Sequence, residues 1–142
     1  MYAIELFMKN QQAQPESVRY PATTLFRDKD GKVLEWEITP ITSAENDEIR
    51  MACSKARSGM TKKELENSFD VSLYNAKLAA ACTTEPNLRN VKLQDSYGVK
   101  CAEDLLRKML PLPGEYDRYV QKVQETCGFG EQFAQDVETV KN

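Results

Sequence analysis

The sequence predicts an α+β fold that is mostly helical, with about five helices and one N-terminal antiparallel β-hairpin. Two observations carry this prediction. Apolar and polar residues alternate in the region 18–41, as they do in strands that bury one face. Apolar residues recur every three or four positions in the region 42–142, where proline and glycine separate the helical stretches. Residues 18–142 are therefore expected to form one compact domain.

Residues 1–17 are predicted to form an arm and linker outside this domain. Ile4, Phe7 and Met8 share one face if the arm is a short helix, and an extended arm is the alternative. The segment 10–17 has three Gln, one Pro and no large apolar residue, which is typical of a linker. The apolar arm needs a partner surface, and packing on another subunit would make the protein self-associate.

The predicted hairpin has strands over about 18–26 and 33–38, joined by a turn that contains Gly31. Glycine adopts a positive φ without strain, so it suits this connection. Pro21 has no amide hydrogen to donate, which predicts that its strand lies at the edge of the sheet. The alternation favours Trp36 as a core residue that anchors the hairpin on the helices rather than as an exposed binding residue.

The five helices are predicted from apolar spacing and from their end signals. Thr42 and Glu45 form a capping-box pattern at the beginning of the first helix, and Gly128 suits a left-handed cap after the fourth. The predicted bounds are about 42–59, 70–83, 99–110 and 113–127, with a fifth helix from about residue 130. We expect a polar link at 58–66, and an ordered loop or short helical turn at 87–98.

The residue types present predict no enzyme, no cofactor and no metal site. The chain has no histidine, which excludes Ser-His-Asp and Cys-His catalysis and histidine metal sites. Its four cysteines include no C-x-x-C pair, so we expect reduced thiols and no zinc site. Asp28 begins a stretch like a calcium loop, but Lys32 and Thr39 stand where an EF-hand needs oxygen ligands, which favours a hairpin turn.

Charge and hydropathy argue against nucleic acid and membrane partners. The chain has 19 basic and 22 acidic residues and no basic block, whereas phosphate binding needs clustered Lys and Arg. The Gly-rich stretch 127–130 has no preceding strand and no following Lys-Ser/Thr, so it does not predict a phosphate loop. Apolar runs are too short for a transmembrane segment, and Lys9 ends the first one, which argues against a signal peptide.

Four parts of the sequence resemble one known family, in its order and roughly in its spacing. They are the hairpin residues 18–38, Leu93-Gln94-Asp95-Ser96-Tyr97-Gly98, Leu110-Pro111-Leu112-Pro113-Gly114-Glu115-Tyr116 and Cys127-Gly128-Phe129. With these parts, the sequence resembles the XkdN-like family of phage tail assembly chaperones over nearly its whole length.

The resemblance implies a phage or prophage protein that acts in the cytoplasm of a bacterial host. Proteins of this family are encoded beside the tail tape measure protein and are thought to keep it soluble while the tail tube assembles. The family is not known for enzymatic activity. The alternative hypothesis is a structural tail component that is retained in the virion. A small hydrolase or nucleotide-dependent enzyme is a third hypothesis, but the sequence shows no nucleophile with a base and no phosphate loop.

Two apolar surfaces are candidates for binding the tape measure protein, and neither is taken from the family. They are the arm residues Ile4, Phe7 and Met8 and the C-terminal stripe Phe129, Phe133 and Val137. Amphipathic helices usually bury their apolar stripe within their own domain. A short apolar segment before a polar linker has less access to the core. The arm is therefore the preferred binding surface.

Overall fold

The structure is a computed structural model that describes residues 1–129. These residues form six α-helices and a three-stranded antiparallel sheet, which confirms a mostly helical α+β fold. The helices are α1 (Ser43–Ala52), α2 (Lys62–Asn67), α3 (Val71–Cys82), α4 (Val91–Ser96), α5 (Ala102–Met109) and α6 (Pro113–Thr126). The strands are β1 (Val18–Tyr20), β2 (Trp36–Ile38) and β3 (Thr83–Glu85). The predicted fifth helix, with Phe133 and Val137, lies outside the described residues.

The sheet has the order β1-β2-β3, so β2 pairs with a strand on each side. Val18 is opposite Ile38 and Tyr20 is opposite Trp36 in the first pair. β1 lies at the edge of the sheet, as Pro21 directly after it predicts. Trp36 and Ile38 are both buried, so β2 attaches the sheet to the helical core.

The third strand corrects the prediction of a hairpin alone. The second helix was expected to continue to Thr83, but α3 ends at Cys82 and Thr83 begins β3. The Thr83 hydroxyl donates to the carbonyl of Ala79 at 2.7 Å, and the Thr39 amide donates to the carbonyl of Cys82 at 2.7 Å. These bonds satisfy carbonyls at the end of α3 and guide the chain alongside β2.

The hairpin itself is interrupted, which the alternation did not predict. β1 has only 3 residues, and pairing returns at Arg27 opposite Val33. Between these points the buried Thr23 hydroxyl donates to the Glu115 carboxylate at 2.7 Å, and the Thr24 amide donates to it at 3.1 Å. The chain leaves the strand ladder here because its polar groups bind α6 instead.

The first helix begins as predicted and ends earlier. The Glu45 amide donates to Thr42 Oγ1 at 3.2 Å, and the Thr42 amide donates to Glu45 Oε1 at 3.1 Å, which completes the capping box. The helix ends before Cys53 and not near Gly59. The Asp70 amide donates to the carbonyl of Cys53 at 2.9 Å, and this bond fixes the chain in a loop that returns to α3.

Two short helices lie where no helix was firmly predicted. α2 occupies the predicted polar link, and Thr61 caps it by accepting a hydrogen bond from the Glu64 amide at 3.1 Å. Residues 87–98 were predicted to form either an ordered loop or a short helical turn, and α4 shows that they include a helix. Asn90 caps α4 by accepting from the Leu93 amide at 2.9 Å. Both helices therefore depend on their caps more than on an apolar stripe.

Helix α3 lies at the centre of the core. Ala76, Ala79 and Ala80 are buried on it, and these small side chains let α5 pack closely. α6 packs on α3 as well, and the ring of its buried Tyr119 meets the Trp36 ring edge-on with 5.4 Å between centroids. Trp36 is 2% exposed, which confirms its predicted core position. Burying one large apolar side chain contributes about 1.5–3 kcal/mol to stability.

Candidate functional site

The N-terminal arm is exposed along the whole of residues 1–17. A short 3₁₀-helix, Ile4–Phe7, forms within it. Ile4 is 70% exposed, Phe7 67% and Met8 56%. The predicted arm residues therefore stand outside the core of the domain, where a partner can reach them.

Tyr2 and Leu6 enlarge the apolar surface of the arm beyond the residues identified from the sequence. Both side chains are exposed, and the Tyr2 ring meets the Phe7 ring edge-on with 6.2 Å between centroids. Helical spacing did not select these two residues. The signal that could have found them is their position in the same short apolar segment. Exposed apolar groups that lie this close together are typical of a binding surface.

A polar linker joins the arm to the domain. Ser17 Oγ lies 2.8 Å from Thr39 Oγ1, which holds the end of the linker beside the end of β2. The 8 residues of the segment 10–17 can extend to at most roughly 29 Å. The arm can therefore contact a partner at some distance from the folded domain.

A groove of about 550 Å³ forms a second apolar surface, between the end of α1, α3 and the end of α6. The side chains that shape it are Phe69, Val71, Tyr74, Leu78, Gln124 and Phe129. Arg50 stands at its edge, with the guanidinium carbon 5.9 Å from the centroid of the Phe69 ring. This geometry places a cation over an aromatic face, so the groove is apolar with a positive edge.

The end of α6 positions Phe129 in the groove. Gly128 has a φ of +90°, a conformation that glycine adopts without strain. The Gly128 amide donates to the carbonyl of Glu125 at 3.0 Å, and the Phe129 amide donates to that of Gln124 at 2.8 Å. This pair of bonds is a Schellman motif, which confirms the predicted glycine cap and turns the chain sharply.

The two candidate surfaces are separate in the structure. Phe129 is 45% exposed and contributes to the groove, whereas none of the groove-lining residues belongs to the arm. The other groove residues could not be predicted from the sequence, because they come from segments distant along the chain. Val71 is 58% exposed at the groove. Phe133 and Val137 lie outside the described residues.

Cys82 and Cys127 form a close pair of thiols at the ends of α3 and α6. Their sulfur atoms are 3.5 Å apart. The two thiols share a hydrogen bond, and its acceptance by Cys127 lowers the pKa of Cys127 to about 6. The same hydrogen bond, followed by burial, raises the pKa of Cys82. The pair therefore favours one thiolate, on Cys127.

Every buried side-chain nitrogen and oxygen atom of the described residues has a hydrogen-bond partner. Within residues 1–129, Cys, Asp and Glu side chains form no group of three or more that could hold a metal ion. No helix in this part of the chain has the length and hydropathy needed to span a bilayer. The features that remain as candidate sites are the arm and the groove, and both suit protein contacts.

The sequence matches the family described as Phage XkdN-like tail assembly chaperone protein over residues 4–141. The chain belongs to this family. Membership confirms the resemblance drawn from the hairpin and the three later stretches. A family of tail assembly chaperones works with protein partners during tail assembly, and such a role suggests binding rather than catalysis.

Two Bacillus subtilis (strain 168) proteins are similar to this XkdN-like chain along its whole length. The uncharacterised protein YqbN is 25% identical over 142 residues, which cover 100% of this chain and 95% of YqbN. The phage-like element PBSX protein XkdN is 24% identical over the same 142 residues, with the same coverage. The crystal structure of YqbN has a TM-score of 0.74 and 26% identity, covering 91% of this chain and 98% of that one.

Proposed function

We propose that this chain binds the phage tail tape measure protein in the cytoplasm of the bacterial host and keeps it soluble during tail assembly. The observation that carries the proposal is an exposed apolar arm on a member of a tail assembly chaperone family. A tape measure protein is long, helical and prone to aggregate before the tail tube encloses it. Its apolar helical faces need a temporary cover until that point.

In this proposal the arm covers the apolar helical faces of the client, the tape measure protein. Ile4, Phe7 and Met8 pack against an apolar stripe of the client, as amphipathic segments pack in helix recognition. Phe7 is the anchor, because a few large side chains dominate the free energy of such contacts. The linker lets the arm follow client helices of different orientation. The folded domain carries the arm, and the net charge of -3 on the whole chain keeps the complex dispersed.

The proposed activity is binding alone. Covering and releasing an apolar helix makes and breaks no covalent bond, so it requires neither a nucleophile nor a cofactor. Release follows when tail tube subunits compete for the same client surface. The alternative C-terminal contact, through Phe129, Phe133 and Val137, would use the same physical principle from the other end of the chain.

Co-expression with the tape measure protein tests this proposal. We expect the client to move from the insoluble to the soluble fraction when the chain is present. The variant Leu6→Ser, in the arm, should reduce this effect. The matched control is Leu25→Ser, because Leu25 is 53% exposed but lies in the domain. Equal client solubility with and without the chain would remove the basis for the chaperone function.

Analysis of purified phage particles separates the chaperone from a structural tail component. We expect mass spectrometry to detect the tape measure protein and no peptides of this chain in mature tails. Stoichiometric amounts of the chain in the particle would support the structural alternative instead.

A further inference from the structure

The two thiols at the ends of α3 and α6 lie in contact, and binding a client helix makes no use of them. Cys82 is fully buried, whereas Cys127 is half-buried and can be reached by a small molecule. We propose that the pair is a redox modification site, at which a hydroperoxide oxidises Cys127 and Cys82 then forms a disulfide that joins α3 to α6. The proposal does not depend on the identity of the client.

The distance between the two sulfur atoms is the first argument. They are 3.5 Å apart, and the sulfur atoms of a disulfide are about 2.05 Å apart, so they need to approach by about 1.5 Å. Cys82 is the last residue of α3, and Cys127 directly follows α6. Helix ends adjust more easily than the middle of a helix. The disulfide can therefore close without repacking the two helices.

The different environments of the two thiols are the second argument. The hydrogen bond that they share lowers the pKa of Cys127 to about 6, and the backbone of Ile41 acts in the same direction. The same hydrogen bond, followed by burial, raises the pKa of Cys82. The thiolate, and not the thiol, is the nucleophile. Cys127 is therefore the sulfur that attacks the peroxide, while Cys82 stays protonated beside it.

One molecule of hydroperoxide balances the two steps. The Cys127 thiolate attacks a peroxide oxygen, so that an S–O bond forms, the O–O bond breaks, and the departing oxygen takes a proton from solvent. Cys127 is then a sulfenic acid. The Cys82 sulfur attacks the Cys127 sulfur, so that the S–S bond forms, the S–O bond breaks, and the Cys82 proton leaves with that oxygen as water. The two thiols lose two electrons, and the peroxide gains them.

The disulfide would join residues that are 45 positions apart, with β3, α4, α5 and α6 between them. Such a link restricts the unfolded chain more than the folded one. We expect the oxidised protein to have a thermal midpoint at least about 5 °C above that of the reduced protein. A midpoint that does not rise would overturn the proposed link between the helices.

Peptide mapping of the oxidised full chain tests the pair directly. Trypsin leaves each cysteine in a different peptide, and the peptides of Cys82 and Cys127 span residues 78–89 and 123–141. We expect an equimolar amount of hydrogen peroxide to link these two peptides within one chain, and dithiothreitol to release them. No link, equal linkage to another cysteine, or a linked species with the mass of two chains would overturn the proposal.

Two serine variants separate the roles of the thiols. Cys82→Ser keeps a hydroxyl beside Cys127 but cannot form the disulfide, so dimedone should label the Cys127 sulfenic acid. No label on Cys127 in the folded variant would overturn the proposed order of steps. Cys101→Ser is the matched control and should give the linked peptides in the same yield as the unmodified protein.

The peptide mapping uses the unmodified protein, so the pair stays testable if serine at the buried position 82 prevents folding. None of these measurements requires the client. They therefore succeed or fail independently of the co-expression experiment, and the redox site and the chaperone function are tested separately.

Discussion

Cys127 illustrates how one neighbouring side chain sets the chemistry of a residue. The four cysteines are widely spaced along the chain, and their spacing does not distinguish any of them. In the structure, Cys127 is half-buried and shares a hydrogen bond with Cys82, while Cys53 is buried. Burial raises the pKa of Cys53, and it also raises that of Cys101. Only contacts between distant residues therefore distinguish Cys127.

We predict that iodoacetamide modifies Cys127 first at pH 7. Its pKa of about 6 leaves it mostly as thiolate at that pH. Cys82→Ala removes the hydrogen-bond donor, so the pKa of Cys127 should rise and its modification at pH 7 should become roughly tenfold slower. Peptide mass spectrometry over time gives both rates, and Cys101 in the same sample is the internal control. Faster labelling of Cys101 than of Cys127 would contradict the assignment.

Glu115 links the interrupted hairpin to α6 and makes stability depend on pH. Hydrogen bonds donated by Thr23 and Thr24 lower the pKa of Glu115. Folding therefore gains stability from Glu115 above the ordinary carboxyl pKa near 4.5. This gain is lost as pH falls through the lower pKa of the folded state.

We expect Glu115→Gln to lower the free energy of unfolding at pH 7 and to flatten its dependence on pH below about 5. Urea unfolding at a series of pH values measures both effects. Glu125→Gln is a suitable control, because Glu125 is an exposed residue on the same helix. The same acid-dependent loss of stability in Glu115→Gln as in the unmodified protein would exclude this role.

Among the helices and strands, the sequence predicts the features that depend on residues close together in the chain. The capping box at Thr42 and the glycine cap at Gly128 depend on residues within one turn, and both were found as expected. The apolar stripe of α6 is also local. β3 could not be predicted, because three residues acquire a strand conformation only by pairing with β2. The capped helix α2 was missed since its composition is polar.

The arm is the element that we propose is separable from the domain. Deleting residues 1–12 should leave the thermal midpoint within a few degrees, because the deleted side chains are exposed. If the arm mediates self-association, the deletion should also lower the mass measured by light scattering. A large loss of stability with an unchanged mass would instead place the arm in the core of its own protomer.

The whole molecule combines a mostly helical domain with an apolar arm, and a polar linker joins the two. The arm could be proposed from the sequence, since its residues are contiguous and precede a linker. The groove could not, since α1, α3 and α6 contribute to it from distant parts of the chain. Family membership gives the biological context, and the exposure of the arm gives a physical means of binding. Together they lead to the account of a chaperone that covers apolar client helices.

The affinity of the purified chain for the tape measure protein tests this account most directly. The informative comparison is between Phe7→Ala and Leu25→Ala, two truncations of exposed apolar side chains inside and outside the arm. We predict that Phe7→Ala weakens binding by about 1–3 kcal/mol, or roughly 5- to 150-fold in Kd, while Leu25→Ala leaves it nearly unchanged. Equal affinities for the unmodified chain and Phe7→Ala, or no complex with either, would contradict the account.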